Sequence, residues 1–216
     1  MVDENKGPVK TLQEELQSIT TSYKGKTGDA TNYKIFGSLS KIVKAGLNSI
    51  HQTESEETVE ALKRETRKAL LSSLFAFYEN STPNENASER LTSWLSRHKG
   101  EMCSLSLNVP KEIINHYITS WLENDNPASR KTFGDRLVEL TSNLIKIFPT
   151  ETRTHLEKTR SYLKAGRGSS PIGNNNDIKV SEAAALHALL TKISASRPPI
   201  DSYCKNRENY LRHQHI

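Results

Sequence analysis

The sequence predicts an all-α fold: a compact or slightly elongated bundle of eight to nine helices. Three observations carry that expectation. Apolar residues recur at steps of three or four along most of the 216 residues, so each run gathers on one helix face. Capping residues, prolines and glycines punctuate those runs at helix-length intervals. Alternation with period two occurs in one short stretch, Cys103 to Val109, which has no second strand to pair with.

In chain order, residues 1–8 read as a disordered N-terminus, 9–212 as a single helical domain and 213–216 as a tail. A first helix spans Val9 to Tyr23 with Leu12, Leu16 and Ile19 on one side. Gly25 and Gly28 mark a turn. The second helix runs from Ala30 to His51 and gathers Ile35, Leu39, Ile42, Val43 and Leu47. Gly37 and Gly46 each weaken it by about 1 kcal/mol relative to Ala, unless they serve close helix packing. The third, Thr53 to Tyr78, opens on Thr53 and Glu56, the spacing of a capping box. It sets Leu62, Thr66, Leu70, Leu74 and Phe77 on one face and Lys63, Arg64, Arg67 and Lys68 opposite. Asn80 to Asn86 is a loop dense in turn formers, and residues 80–86 are where the domain would subdivide.

Asn86 or Ser88 caps a fourth helix presenting Leu91, Trp94 and Leu95, and Gly100 ends it. Trp94 and Trp121 each precede a Leu on an apolar face, which is core usage. Cys103 to Val109 reads as an extended connector into Pro110, in the first turn of a fifth helix. Asn126-Pro127 pairs a cap with a first turn for a sixth helix, which carries Leu137, Leu140 and Leu144 and stops before Pro149. A seventh extends from Thr150 to Ala165. Gly166 to Asp177 reads as a mobile loop, Val180 to Ser196 as an eighth helix, and Ser202 to Arg212 as a last short one.

The apolar fraction is 34% and the mean hydropathy −0.65, so each helix keeps much of its surface polar. No apolar run approaches the roughly 18 residues that span a bilayer. Met1 to Lys10 lacks the apolar core of a secretory signal. Cys103 and Cys204 make no disulfide framework and read as reduced thiols, which points to the cytoplasm or another reducing compartment. In that setting the glycosylation patterns at Asn80 and Asn86 carry no meaning.

Charge is uneven. Residues 1–108 hold 14 basic and 14 acidic side chains, and residues 109–216 hold 16 and 11, so the net +5 lies in the second half. Its densest part runs from Lys146 to Arg167, where Arg153, Lys158, Arg160, Lys164 and Arg167 form the candidate binding surface. Arg130, Lys131 and Arg136 precede them, and Lys205, Arg207 and Arg212 follow with Tyr203 and Tyr210 interleaved. Basic residues among aromatics suit phosphates and bases, or an anionic lipid surface.

Other chemistry is thinly signalled. Gly166-x-Gly168-Ser-Ser follows a helix and lacks the lysine of a P-loop. Cys204, His213 and His215 do not have a zinc-site spacing. Glu112/His116 and Glu151/His155 stand at i,i+4 where di-iron bundles use i,i+3, and read as surface ion pairs. Cys103 has His98 five residues upstream, but no sequence feature assigns it a depressed thiol pKa. No catalytic residue, metal or cofactor is expected. The resulting expectation is a non-enzymatic helical protein for protein–protein interaction or regulation, of the kind a bacterium or virus directs at a host. Nucleic-acid or anionic-lipid binding through the basic C-terminal half is the second reading, and an enzyme with a site assembled from distant residues the third.

Overall fold

Helix ends fall where short polar side chains, prolines and left-handed residues allow them. The computed structural model describes residues 7–26, 28–80, 85–165 and 180–195. Among these it has nine helices and no strand: α1 (Pro8–Thr21), α2 (Asp29–His51), α3 (Glu56–Asn80), α4 (Glu85–Arg97), α5 (Lys99–Ser104), α6 (Val109–Glu123), α7 (Pro127–Ile147), α8 (Pro149–Ala165) and α9 (Val180–Ala195). The all-α expectation holds. The segments expected at 166–177 and 202–212, the N-terminal residues 1–6 and the tail lie outside the described residues.

Several ends match the sequence reading. Gly28 precedes α2 at φ 97°, a conformation that costs a side-chain-bearing residue dearly. The Asn126 carboxamide accepts from the Ala128 and Ser129 amides at 2.9 and 3.4 Å, and Pro127 follows it. Two ends differ. The Thr53–Glu56 capping box does not form: the Thr53 hydroxyl donates backwards to the Ser49 carbonyl at 2.9 Å, finishing α2. Ser55 caps α3 instead, accepting from the Thr58 amide at 3.4 Å.

The second difference is larger. Gly100 does not end α4; it lies inside α5, and the expected connector from Cys103 is helical through Ser104. Leu105, Leu107 and Val109 are all buried, so their alternation reflects burial across a helix end rather than a strand. The chain leaves α5 through paired terminal hydrogen bonds, Leu107 N–H to the Met102 carbonyl and Ser106 N–H to the Cys103 carbonyl, both 2.9 Å. This is the Schellman arrangement, and Leu107 and Met102 are both buried beside it. Its left-handed position, usually Gly, is Ser106 at φ 54°. Ser106→Gly is expected to stabilise the protein by about 1 kcal/mol, the cost of holding a Cβ in that conformation. Urea unfolding that shows no gain would refute this.

α2 and α3 form a helical hairpin against which α1 packs, while α6, α7, α8 and α9 pack as a second group. α3 meets α6, and α4 meets α7. The joints are specific. Arg67 Nη1 donates to the Leu105 carbonyl at 3.0 Å. The Phe75 and His116 rings stack with centroids 3.8 Å apart. One continuous apolar cluster runs through both groups and includes Leu39, Leu74, Trp94, Ile113, Leu144 and Leu190. Each such aliphatic side chain contributes about 1.5–3 kcal/mol when fully buried. Trp121 departs from the expected core role: it is only half-buried, with the Arg130 guanidinium over its ring at 5.1 Å.

Candidate functional site

The basic run on α8 does not form one surface. Thr152, His155, Leu156, Thr159 and Leu163 face the core. At 100° per residue, Arg153, Arg160 and Lys164 then share one flank and Lys158 takes the other. Arg153, Lys158 and Lys164 are exposed and Arg160 is half-buried. The Arg160 Nε is buried and has no hydrogen-bond partner among the described residues. Glu157 is exposed between Arg153 and Arg160 on the same flank, which cuts the local field. Arg167 lies outside the described residues, as do Lys205, Arg207, Arg212, Tyr203 and Tyr210. Arg130 and Arg136 are already engaged. Arg130 Nη2 binds Glu182 at 2.7 Å, tying α7 to α9, and Arg136 Nη1 lies 3.2 Å from Glu139.

The two Glu/His pairs also differ from expectation. His155 turns inward and meets Asn115 Oδ1 at 2.8 Å through Nε2, while Glu151 reaches Lys99 at 4.0 Å. His116 stacks on Phe75 and has Glu79, not Glu112, as its nearest carboxylate at 3.9 Å. Burial lowers the pKa of both histidines, that of His155 to about 4, where the charges of Lys111 and Lys158 add to the effect. The Cys103 thiol is free and exposed. His98 lies against Glu101 at 3.3 Å and against the Trp94 ring. Cys204, His213, His215 and the Gly166–Asp177 segment are outside the described residues. Among the described residues, no three of His, Cys, Asp and Glu converge as a metal group.

The stronger basic surface belongs to α2. Between Ala30 and His51 there is no acidic residue. Ile35, Leu39, Ile42, Val43 and Gly46 turn to the core, which sends Lys34, Lys41 and Lys44 outward within about a third of the circumference. All three lysines are exposed, and none is ion-paired among the described residues. Tyr33 begins the row and is 64% exposed, the one large apolar side chain so placed among the described residues.

α4 completes the surface. Trp94 Nε1 donates to Ser40 Oγ at 2.7 Å and seats α4 beside α2. Arg90 then lies over the Tyr33 ring, 4.9 Å from its centroid, and Arg97, seven residues on, shares Arg90's face. Glu89 is the only carboxylate among the described side chains of α4 and points about 100° away. Five cations and one exposed aromatic ring thus gather where counting charge by halves shows nothing. The missed signal was the absence of Asp and Glu over Ala30 to His51.

Two open hollows lie elsewhere, one of about 570 Å³ on α1 beside Gln17 and Thr21, the other of about 540 Å³ between Thr11 and the α2–α3 turn. Among the described residues no helix is long and apolar enough to cross a membrane. No family model matches the chain, and no curated protein or solved structure matches it either.

Proposed function

We propose that the protein is a non-enzymatic helical binding protein that holds a polyanionic partner against the face formed by α2 and α4. The observation that carries this reading is the row Lys34, Lys41 and Lys44, exposed and without an ion pair among the described residues, in a stretch from Ala30 to His51 that has no carboxylate. Solvated surfaces usually intersperse both signs of charge. A single-sign row raises the local concentration of an anionic partner and steers its approach. The α8 run supports the reading less, because Glu157 divides it and Arg160 is half-buried. The exposed free thiol of Cys103 suits a reducing compartment.

The test is retention on an immobilised polyanion. Lys34→Glu, Lys41→Glu and Lys44→Glu together are expected to move elution to far lower salt, with the circular dichroism unchanged because all three side chains are exposed. Arg153→Glu with Lys164→Glu is expected to move it much less. Equal shifts from the two sets would refute the assignment of the face.

A further inference from the structure

We infer that the occupant of the α2–α4 face is single-stranded nucleic acid, with Tyr33 as the platform on which a base stacks. This rests on the polyanion reading above and adds the class of partner.

Tyr33 is set in a particular way. The Arg90 guanidinium covers one face of its ring at 4.9 Å, and the residue is 64% exposed, so the other face meets solvent. A ring backed by a cation and open on one side is the arrangement on which bases stack in proteins that bind single strands. From Tyr33 the lysines continue along the helix. Lys41 and Lys44 lie about 10 and 15 Å from Lys34 along the axis. The row therefore tracks a backbone leading away from the stacked base, with Arg90 and Arg97 along its edge.

The same geometry disfavours the other polyanions. α2 is flanked by α3 and joined to α4 through Trp94 and Ser40. It cannot enter a duplex major groove about 12 Å wide, and paired bases offer no free face to Tyr33. A membrane surface is held by cations together with apolar side chains that reach the acyl boundary. Here the apolar side of α2 is in the core, and Tyr33 would carry the Arg90 guanidinium inward with it. An acidic polypeptide offers carboxylates for the lysines but supplies no base to stack.

The experiment is fluorescence anisotropy with the full chain and four probes: an oligothymidylate of about twelve nucleotides, within the usual site size of single-strand binders, an abasic phosphodiester of the same length, polyglutamate, and vesicles containing phosphatidylserine. The oligothymidylate is expected to bind tightest, with a log–log salt slope of about −3.5 for five phosphate contacts on a single strand. Tyr33→Ala is expected to weaken it about tenfold, Tyr33→Phe to leave it nearly unchanged, and neither to alter the abasic probe. The Lys34, Lys41 and Lys44 charge reversals are expected to remove binding of both. If the abasic probe binds as tightly as the oligothymidylate and Tyr33→Ala changes nothing, base stacking is overturned while the polyanion reading stands. Tighter binding to polyglutamate or to the vesicles overturns the choice of partner. Binding to none of the four at low salt overturns the polyanion reading itself.

Discussion

Gly46→Ala should destabilise the protein by about 2 kcal/mol, although Ala is the better helix former. Gly46 is buried where α2 crosses α3, and a Cβ built there would sit 2.3 Å from both Thr66 Cγ2 and Oγ1 and 2.8 Å from Thr66 Cβ. Thr66 is itself fully buried and its hydroxyl donates to the Leu62 carbonyl at 2.8 Å. Both branches of this buried side chain face the new Cβ, so α2 and α3 must move apart to admit it. Overpacking of this kind costs about 3 kcal/mol, against about 1 kcal/mol gained in propensity. Gly37 is the internal control: it is exposed on the same helix, and nothing lies within 4 Å of its Cβ position. Gly37→Ala should therefore stabilise by about 1 kcal/mol. For a chain of this size the pair should move the melting temperature by about 6 °C down and about 3 °C up. Removing the two nearest atoms with Thr66→Ala should relieve part of the Gly46→Ala penalty, so the double variant will be non-additive. Strict additivity, or equal effects at the two glycines, would show that α2 and α3 do not approach this closely.

These glycines also show what the sequence can and cannot say. Helical spacing sets Gly46 in the stripe with Ile35, Leu39 and Ile42 and Gly37 on the opposite side among the lysines, but it does not say how closely another helix approaches. Only the crossing of α2 on α3 makes one a contact and the other a defect. The helices themselves were legible because their stripes have to be buried, and Asn126-Pro127 because a carboxamide and a ring without N–H satisfy a helix start locally. Thr53 misled because a capping box and a hydroxyl returning to the preceding turn use the same side chain, and the choice depends on where α2 stops. Cys103 to Val109 misled because a short helix closed by a left-handed Ser buries residues in alternation, as a strand does. The basic face was obscured by averaging. The first half is neutral in sum because Glu14, Glu15, Glu56, Glu57, Glu60 and Glu65 lie on α1 and α3, while α2 between Ala30 and His51 has none. Charge has meaning at the scale of a helix face, and bundle packing decides which faces remain open. Of the expected site on α8, Arg153 and Lys164 share an exposed flank, but the core-facing side of that helix sets Lys158 apart from them.

Acid should destabilise the fold between about pH 6.5 and pH 4 through His155, by up to about 3 kcal/mol. The side chain is 7% exposed and has Asn115 Oδ1 at 2.8 Å. That oxygen only accepts, so the imidazole donates to it from Nε2. Burial is the largest cause of its lowered pKa, and Lys111 from α6 and Lys158 from its own helix oppose a further positive charge. The sign follows from the two states. Above pH 6.5 His155 is neutral whether the chain is folded or not, and the stability is present in full. Below that value the unfolded chain takes up a proton that the folded chain refuses until about pH 4, so stability falls by about 1.4 kcal/mol per pH unit. His116 acts in the same sense, since burial lowers its pKa too. His155→Gln keeps an N–H for Asn115 and removes the titration. The substitution leaves every other titrating side chain in place, so the difference between the two curves isolates His155. The native protein should lose about 2 kcal/mol more than the variant between about pH 7 and about pH 5. Urea unfolding across that range, with the imidazole resonance followed by NMR, measures both quantities. Parallel stability curves, or a resonance with its midpoint near 6.5, would place His155 in solvent and dissolve its contact with Asn115 between α6 and α8.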